Sequence, residues 1–467
     1  MIGLICTSSM VIPRLKLNVI NKNNSFLKMS KSENFIKKGT TILTAKPFAY
    51  VLCSKYKNVR CDYCFKSGKL FRCSACQYVY YCNQSCQQMS WPMHSKECAR
   101  LKKFSPWGIS NVARLMARII IKLNQGGDEE RGYYNETSYR KFKDLMSHCS
   151  EIKRDEKKME HFICLCNVLH KFLEDMPIPS TAELLGIYGR ITINSFSIFN
   201  LDMNIGVGIY LGPSILDHSC KPNAVATFEG TTITVKAIED LPSLDLSQIR
   251  IPYIDVIKTT RDRRAELQSS YYFWCDCEKC EKPEPMAEAA ACPNKLCTYP
   301  CAPNADLCEK CNTKIPENFK EIFDEISEFT AYHLENMKNI AYLDVSKMCL
   351  SRQEGILHPL NVQYVQTLQT AFDSSINLQH WEEAESYAKK LINGYLTYYG
   401  EIHPSTGILY LSIGKLEVYL KKLKQAIKTL RKASLILTIT HGAQHSVIVE
   451  NLKPLLYQAT IEDFSES

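Results

Sequence analysis

Eight candidate metal ligands fall within 38 residues, as Cys61-x2-Cys64, Cys73-x2-Cys76, Cys82-x3-Cys86 and His94-x3-Cys98. Two intervening residues let both thiolates of a pair reach one ion, and four ligands complete a tetrahedral Zn²⁺ shell, so eight imply two ions. A stretch this short cannot bury enough apolar surface to fold alone, so bound metal would supply much of its stability. Further along, Cys292-x4-Cys297 and Cys308-x2-Cys311 form a ribbon-like candidate site, with Cys301 as a spare ligand.

A second constellation is spread more widely. Asn194-Ser195-Phe196 precedes Asp217-His218-Ser219-Cys220-x-Pro222-Asn223, followed by Tyr253-Ile254-Asp255 and Tyr271-x-Phe273-x-Cys275-x-Cys277-x2-Cys280. Singly, each has an ordinary explanation: a lone histidine is more often a hydrogen-bonded core residue, and Tyr271 or Phe273 a plain core aromatic. Their order and spacing together carry the weight.

Several kinds of element must hold these groups. Residues 34–53 read as two short strands, with Gly39 turning between them and Pro47 ending the regular run. From about Trp107 to Leu185, Leu, Ile and Met recur at three- and four-residue steps, a helical pattern. Ile191 to Ile198 and Thr231 to Ile238 are rich in β-branched residues and read as strands, with Gly206, Gly208, Gly212 and Pro213 breaking the span between them. Beyond residue 315 helical periodicity dominates and repeats: Ala384 and Ala426 lie 42 apart, as do Gly400-x-x-His403 and Gly442-x-x-His445. A helix pair at this period suggests a short superhelical array of tetratricopeptide type, with an irregular helical bundle as the alternative.

At 467 residues the chain exceeds one compact core. No run of eighteen predominantly apolar residues occurs, so no membrane span is expected. Arg14 and Lys16 follow the uncharged Met1–Pro13 stretch instead of preceding it, so residues 1–33 read as an uncertain N-terminal segment, an uninformative or mispredicted leader, with a transit peptide as the alternative, and not as a secretory signal. Twenty-two cysteines without an export signal argue for metal thiolates over disulfides. The net charge of +8 is modest, yet residues 60–103 hold Arg60, Lys66, Lys69, Arg72, Lys96, Arg100, Lys102 and Lys103 against only Asp62 and Glu97. A solvated basic face is the simpler reading, and a weak DNA contact the sharper one.

The order of ligand pairs and the Trp91-Pro92-x-His94 segment resemble a MYND zinc finger. That resemblance implies interleaved ligation, with Cys61, Cys64, Cys82 and Cys86 on one ion and Cys73, Cys76, His94 and Cys98 on the other, both structural. The finger and the second constellation together resemble the SET-and-MYND (SMYD) family of protein-lysine methyltransferases. The likeness implies an α+β fold: a SET-type β fold interrupted by the finger and a helical insert, then a Cys-rich post-SET zinc segment and an all-α tetratricopeptide-like C-terminal domain. The boundaries expected are 1–33 for the leader, 34–60 for the SET N-terminal part, 61–98 for the finger and 99–190 for the insert. The SET core follows at 191–268, the post-SET region at 269–313 and the helical domain at 314–467.

The resemblance further implies S-adenosylmethionine as methyl donor and lysine-bearing proteins, histone or other, as acceptors. Tyr253 would orient the amine, and Phe196 and Tyr271 would line the lysine channel. Phe273 would stack on adenine, and Asn194, Asp217 and His218 would hold the rest of the cofactor, which Tyr253 also contacts and to which His148 adds a contact. Cys220, Cys275, Cys277 and Cys280 make a third zinc site, and the ribbon-like ligands a fourth. Partners would dock on the finger and the C-terminal helices, and the family points to cytoplasm and nucleus.

Four positions depart from the family pattern. Residues 25–32 lack the glycine turn that approaches the cofactor, Asp217 replaces Asn, Leu244-Asp245-Leu246 replaces Gly-Glu-Glu, and Pro252 precedes Tyr253, where it would remove a strand hydrogen bond. The alternative function they suggest is a catalytically weak zinc scaffold or chromatin adaptor.

Overall fold

The computed structural model describes residues 35–105, 107–337 and 342–466. The leader, including the glycine-free stretch 25–32, lies outside the described residues. Strands β1 (Thr41–Ala45) and β2 (Ala49–Leu52) open the fold. Gly39, at φ +87°, turns ahead of β1 and not between two strands, while Pro47 separates β1 from β2. That placement corrects the expectation for 34–53. The proline sits at a corner, because β1 and β2 enter different sheets, and a residue without N–H costs no ladder bond there.

Next come β3 (Phe71–Arg72), β4 (Tyr80–Tyr81) and helix α1 (Gln84–Lys103). The Asn83 side chain caps α1 by accepting from Cys86 N at 2.8 Å, which fixes where Cys86 sits. Helix α2 (Asn111–Leu123), capped by Ser110, is enclosed on all sides: Leu115, Met116, Ile119, Ile120 and Ile121 are fully buried. The short pair β5 (Gly132–Tyr133) and β6 (Tyr139–Arg140) interrupts the region read as helical before α3 (Cys149–Ile152), α4 (Glu156–Phe172) and α5 (Thr181–Asn194).

Helix α5 overturns part of the strand expected from Ile191. Its capping box, Ser180 with Glu183, starts the helix, and Leu184, Ile187, Tyr188 and Ile191 bury one stripe against α2 and α4. That burial outweighs the β preference of Ile191-Thr192-Ile193, and the strand begins only at Ser195.

The remaining strands are β7 (Ser195–Asn200), β8 (Met203–Ile209), β9 (Asp217–His218), β10 (Ala224–Glu229), β11 (Thr232–Ala237) and β12 (Arg250–Ile251). They build three small sheets, in the orders β1-β11-β10, β2-β8-β7 and β9-β12, the last parallel. Two of the departures from the family pattern dissolve here. Strand β12 stops at Ile251, so Pro252 removes no ladder bond from it. Asp245 turns the chain with its own carboxylate, which accepts from Ser247 N at 2.9 Å, the job a glycine would otherwise do.

Helices α6 (Thr260–Tyr271) and α7 (Glu278–Glu281) lead to a helical array: α8 (Phe319–Asn336), α9 (Leu343–Gln353), α10 (Val362–Asn377), α11 (Trp381–Tyr398), α12 (Pro404–Tyr419), α13 (Leu423–Thr440) and α14 (Lys453–Glu466). The 42-residue repeat is physical. Ala384 and Ala426 are both fully buried, and Gly400 and Gly442 both take the left-handed conformation that ends α11 and α13. His403 and His445 each accept, through Nδ1, from the backbone N–H two residues on. Among the described residues no helix is long and apolar enough to cross a membrane.

Candidate metal centres and active site

Four ligand sets come together, each with its donor atoms within 4.8 Å of one another: Cys61, Cys64, Cys82 and Cys86; Cys73, Cys76, His94 and Cys98; Cys220, Cys275, Cys277 and Cys280; and Cys292, Cys297, Cys308 and Cys311. The interleaving within the finger is the one expected, and Cys301 falls outside the fourth set. Tetrahedral zinc with ordinary Zn–S bonds would space its sulfurs about 3.8 Å apart. Cys64 and Cys82 are 3.7 Å apart, Cys73 and Cys98 3.9 Å, Cys220 and Cys275 4.0 Å, and Cys297 and Cys308 3.8 Å. The donor sets fit zinc.

Sequence reasoning missed what holds the finger to the rest of the protein. Asp62 and Glu97 are buried and meet Arg114 and Arg118, one turn apart on α2. Arg114 Nη1 donates to Asp62 Oδ1 at 2.8 Å and its Nη2 to Glu97 Oε1 at 2.6 Å. Arg118 Nη2 bridges Asp62 Oδ2 at 2.8 Å and Glu97 Oε1 at 2.7 Å. Burial alone would push both carboxyls up, but the two guanidinium groups outweigh it and hold both below their ordinary values. Glu97 Oε1 also faces His94 Nδ1 at 3.5 Å, while His94 Nε2 points at the sulfurs, the carboxylate–histidine–metal arrangement that orients a ligand. The available signal was two arginines at i and i+4 inside an otherwise apolar helix. A consequence follows for charge: the two acids of segment 60–103 are neutralised internally, while Lys66, Lys69, Arg72, Lys96, Lys102 and Lys103 remain exposed.

The second constellation assembles where β9 runs beside β12, with His218 in register with Ile251. Tyr253 N donates to His218 Nδ1 at 3.0 Å, and the other ring nitrogen, Nε2, lies 3.2 Å from Cys220 Sγ. Both imidazole nitrogens are therefore engaged within the protein, and burial pushes the ring's pKa down to about 4, so it is neutral near pH 7. The His218 ring is 5.3 Å from Tyr253 and 6.0 Å from Phe273, and Tyr253 is 5.1 Å from Tyr271. The Tyr253 hydroxyl donates to Leu216 O at 2.5 Å, and burial raises its pKa, so it stays protonated.

Asn194 Nδ2 donates to Met146 O and to Arg190 O, both at 2.9 Å, which leaves its Oδ1 as a spare acceptor beside the 146–148 loop. That loop presses on α5: a Cβ on Gly189 would meet Ser147 O at 2.0 Å. His148, at φ +45°, stands 5.5 Å from the ring of Tyr272. The five segments read from sequence thus converge.

They do so on two sides. Asn194, Phe196, Tyr253 and Tyr271 line a cleft of about 710 Å³ between the sheets and α10 to α13. His148, Asp217, His218 and Phe273 do not line it. His218 and Phe273 instead pack against the tyrosine pair away from the cleft. Cys220 is two residues from His218 and Cys275 two from Phe273, so the third metal set ties these segments together.

The fold and its metal centres define a zinc-finger protein with a composite cleft closed by a helical array. The MYND finger family model matches residues 61–98. The chain is 31% identical over 424 residues to histone-lysine N-methyltransferase ASHR1 of Arabidopsis thaliana, covering 86% of this chain and 87% of that protein. It is 29% identical to histone-lysine N-methyltransferase SMYD3 of Homo sapiens, over 88% and 91% of the two chains. With N-lysine methyltransferase SMYD2 of Homo sapiens it shares 26% identity over 88% and 92%. The chain belongs to the SET-and-MYND family.

Proposed function

We propose that the protein transfers methyl groups from S-adenosylmethionine to lysine side chains of proteins, histone or other, on a SET-type fold built from segments 34–60 and 191–268. The observation that carries this reading is the two-sided site, with Tyr253 and Tyr271 standing between an open cleft and a zinc-tied cluster of His218 and Phe273. The donor set suits the cofactor: Asn194 Oδ1 and the exposed Asp217 carboxylate are acceptors for an ammonium group, and Phe273 offers a ring face to adenine. When bound, the cofactor supplies an electrophilic methyl on a cationic sulfur.

The chain's own residues do the rest by alignment. The Tyr253 proton is committed to Leu216 O, so its oxygen lone pairs are the part left to meet a lysine amine. A hydroxyl kept protonated by burial orients the amine and does not deprotonate it. Tyr271 and Phe196 wall the channel with aromatic surface, which accepts a lysine stem and excludes water. His218 acts as a positioning residue, holding the Tyr253 backbone through Nδ1.

Tyr253→Phe keeps the ring and removes that oxygen. It should lower methyl transfer from labelled cofactor to core histones or lysate by about 10²-fold, typical for one preorganised polar group. Circular dichroism and zinc content should not change. Equal activity in the two proteins would refute the role assigned to Tyr253.

A contact with polyanions through the finger is a second reading, supported by the internal neutralisation of Asp62 and Glu97 beneath an exposed basic face.

A further inference from the structure

The cleft that receives the substrate carries a charge pattern of its own. Among its lining residues are Asp202, Asp255, Glu266 and Asp373, and no lysine or arginine. A second hollow, of about 930 Å³, continues from it and shares Asp255, Asp373, Gln369, Tyr395 and Tyr399. Glu266 is paired with Lys258, but among the described residues no lysine or arginine pairs with Asp202, Asp255 or Asp373. All three line the cleft together with Tyr395, and Asp255, Asp373 and Tyr395 line the second hollow as well, which marks the junction of the two.

That junction is built. Tyr395 donates to Gln369 Oε1, and Gln369 Nε2 donates to Asp373 Oδ1 at 2.8 Å, which fixes the carboxylate. Asp255 Oδ1 accepts from the Tyr399 hydroxyl at 2.8 Å, and Tyr395 and Tyr399 meet edge to face at 5.0 Å. Aromatic faces beside carboxylates suit a guanidinium or ammonium group. Burial raises Asp373 to about 6, helped by Asp202, so the unpaired carboxylate is held at a cost that an incoming cation would remove.

An independent feature points to a peptide. His403 lines the cleft, is only 8% exposed and stacks on Tyr399 at 4.5 Å. Its Nδ1 accepts from Ser405 N, so in the neutral ring Nε2 carries the proton. A cleft-lining ring that donates through Nε2 suits a main-chain carbonyl of a bound peptide.

We infer that the groove joining the two hollows binds an extended basic segment of the substrate protein, with an arginine or lysine side chain near the target lysine seated among Asp202, Asp255 and Asp373 against Tyr395. The chain as a whole carries +8, which repels basic peptides, so attraction must come from this local field. The inference takes from the methyltransferase reading only that a lysine enters beside Tyr253.

Fluorescence anisotropy on the full chain tests it without requiring turnover. Two labelled peptides share a central lysine, flanked in one by arginines and in the other by citrullines. The arginine peptide should bind about tenfold tighter at low salt, and Asp202→Asn/Asp373→Asn should cut that ratio to about twofold. Unchanged zinc content and circular dichroism would show the variant folded. Equal binding of the two peptides by the wild type, or a preference kept by the variant, would overturn the inference. A preference lost in the variant, with methyl transfer to neither peptide, would support the groove and overturn the enzymatic reading instead.

Discussion

Glu97→Gln probes the buried cluster that joins the finger to α2. The cluster balances two carboxylates against two guanidinium groups, with all four residues less than 5% exposed. Removing one negative charge leaves an uncompensated positive charge in the interior, and breaking a buried pair in this way costs about 3–5 kcal/mol. At a few degrees per kcal/mol, that is a fall of about 6–20 °C in the melting temperature of the unit containing the finger. His94 would also lose the carboxylate facing its Nδ1, and loss of such an outer partner typically weakens metal affinity about 10- to 100-fold. Calorimetry and zinc release to a colorimetric chelator would measure both effects. The cycle with Arg118→Met is the sharper test. Removing the excess cation restores neutrality, so the double variant should be more stable than the sum of the single losses by about 1–3 kcal/mol. Strict additivity, or a Glu97→Gln protein as stable as the wild type, would refute the idea that these charges act as one unit.

Metal analysis should find four zinc ions per chain, one for each ligand set, and Cys277→Ser should remove one while leaving both finger ions in place. Loss of all the zinc together would argue against separate centres. Gly189→Ala should drive the 146–148 loop away from Asn194, because the new Cβ would fall 2.0 Å from Ser147 O. Misplacement on that scale should cost about 10²-fold in rate and weaken S-adenosylhomocysteine binding in a calorimetric titration; unchanged affinity would separate the loop from the cofactor. If the finger's exposed lysines and Arg72 engage nucleic acid, binding should fall steeply as salt rises and show little sequence preference, and a gel shift indifferent to salt would exclude this mode.

The metal centres were legible in the sequence because zinc chemistry is local. Cys61-x2-Cys64 and Cys308-x2-Cys311 announce ligand pairs through spacing alone, whatever the surrounding fold does. The 42-residue repeat was legible for a related reason: Gly400 and Gly442 end equivalent helices, and a left-handed cap is a requirement of the backbone itself. The α5 helix was misread because Ile191-Thr192-Ile193 prefers a strand locally, and only packing of the stripe from Leu184 to Ile191 reverses that preference. Pro252 and Leu244 looked damaging for the same reason. A missing N–H or glycine matters only if a strand or turn needs it there, and tertiary structure ends β12 at Ile251 and turns the chain at Asp245. Charge depended on the fold most of all. Composition counts Asp62 and Glu97 as surface partners of nearby lysines, yet both spend their charge internally on arginines from another helix. Asp202, Asp255 and Asp373 are far apart in sequence, and they line one cleft only because the helical array folds back over the sheets.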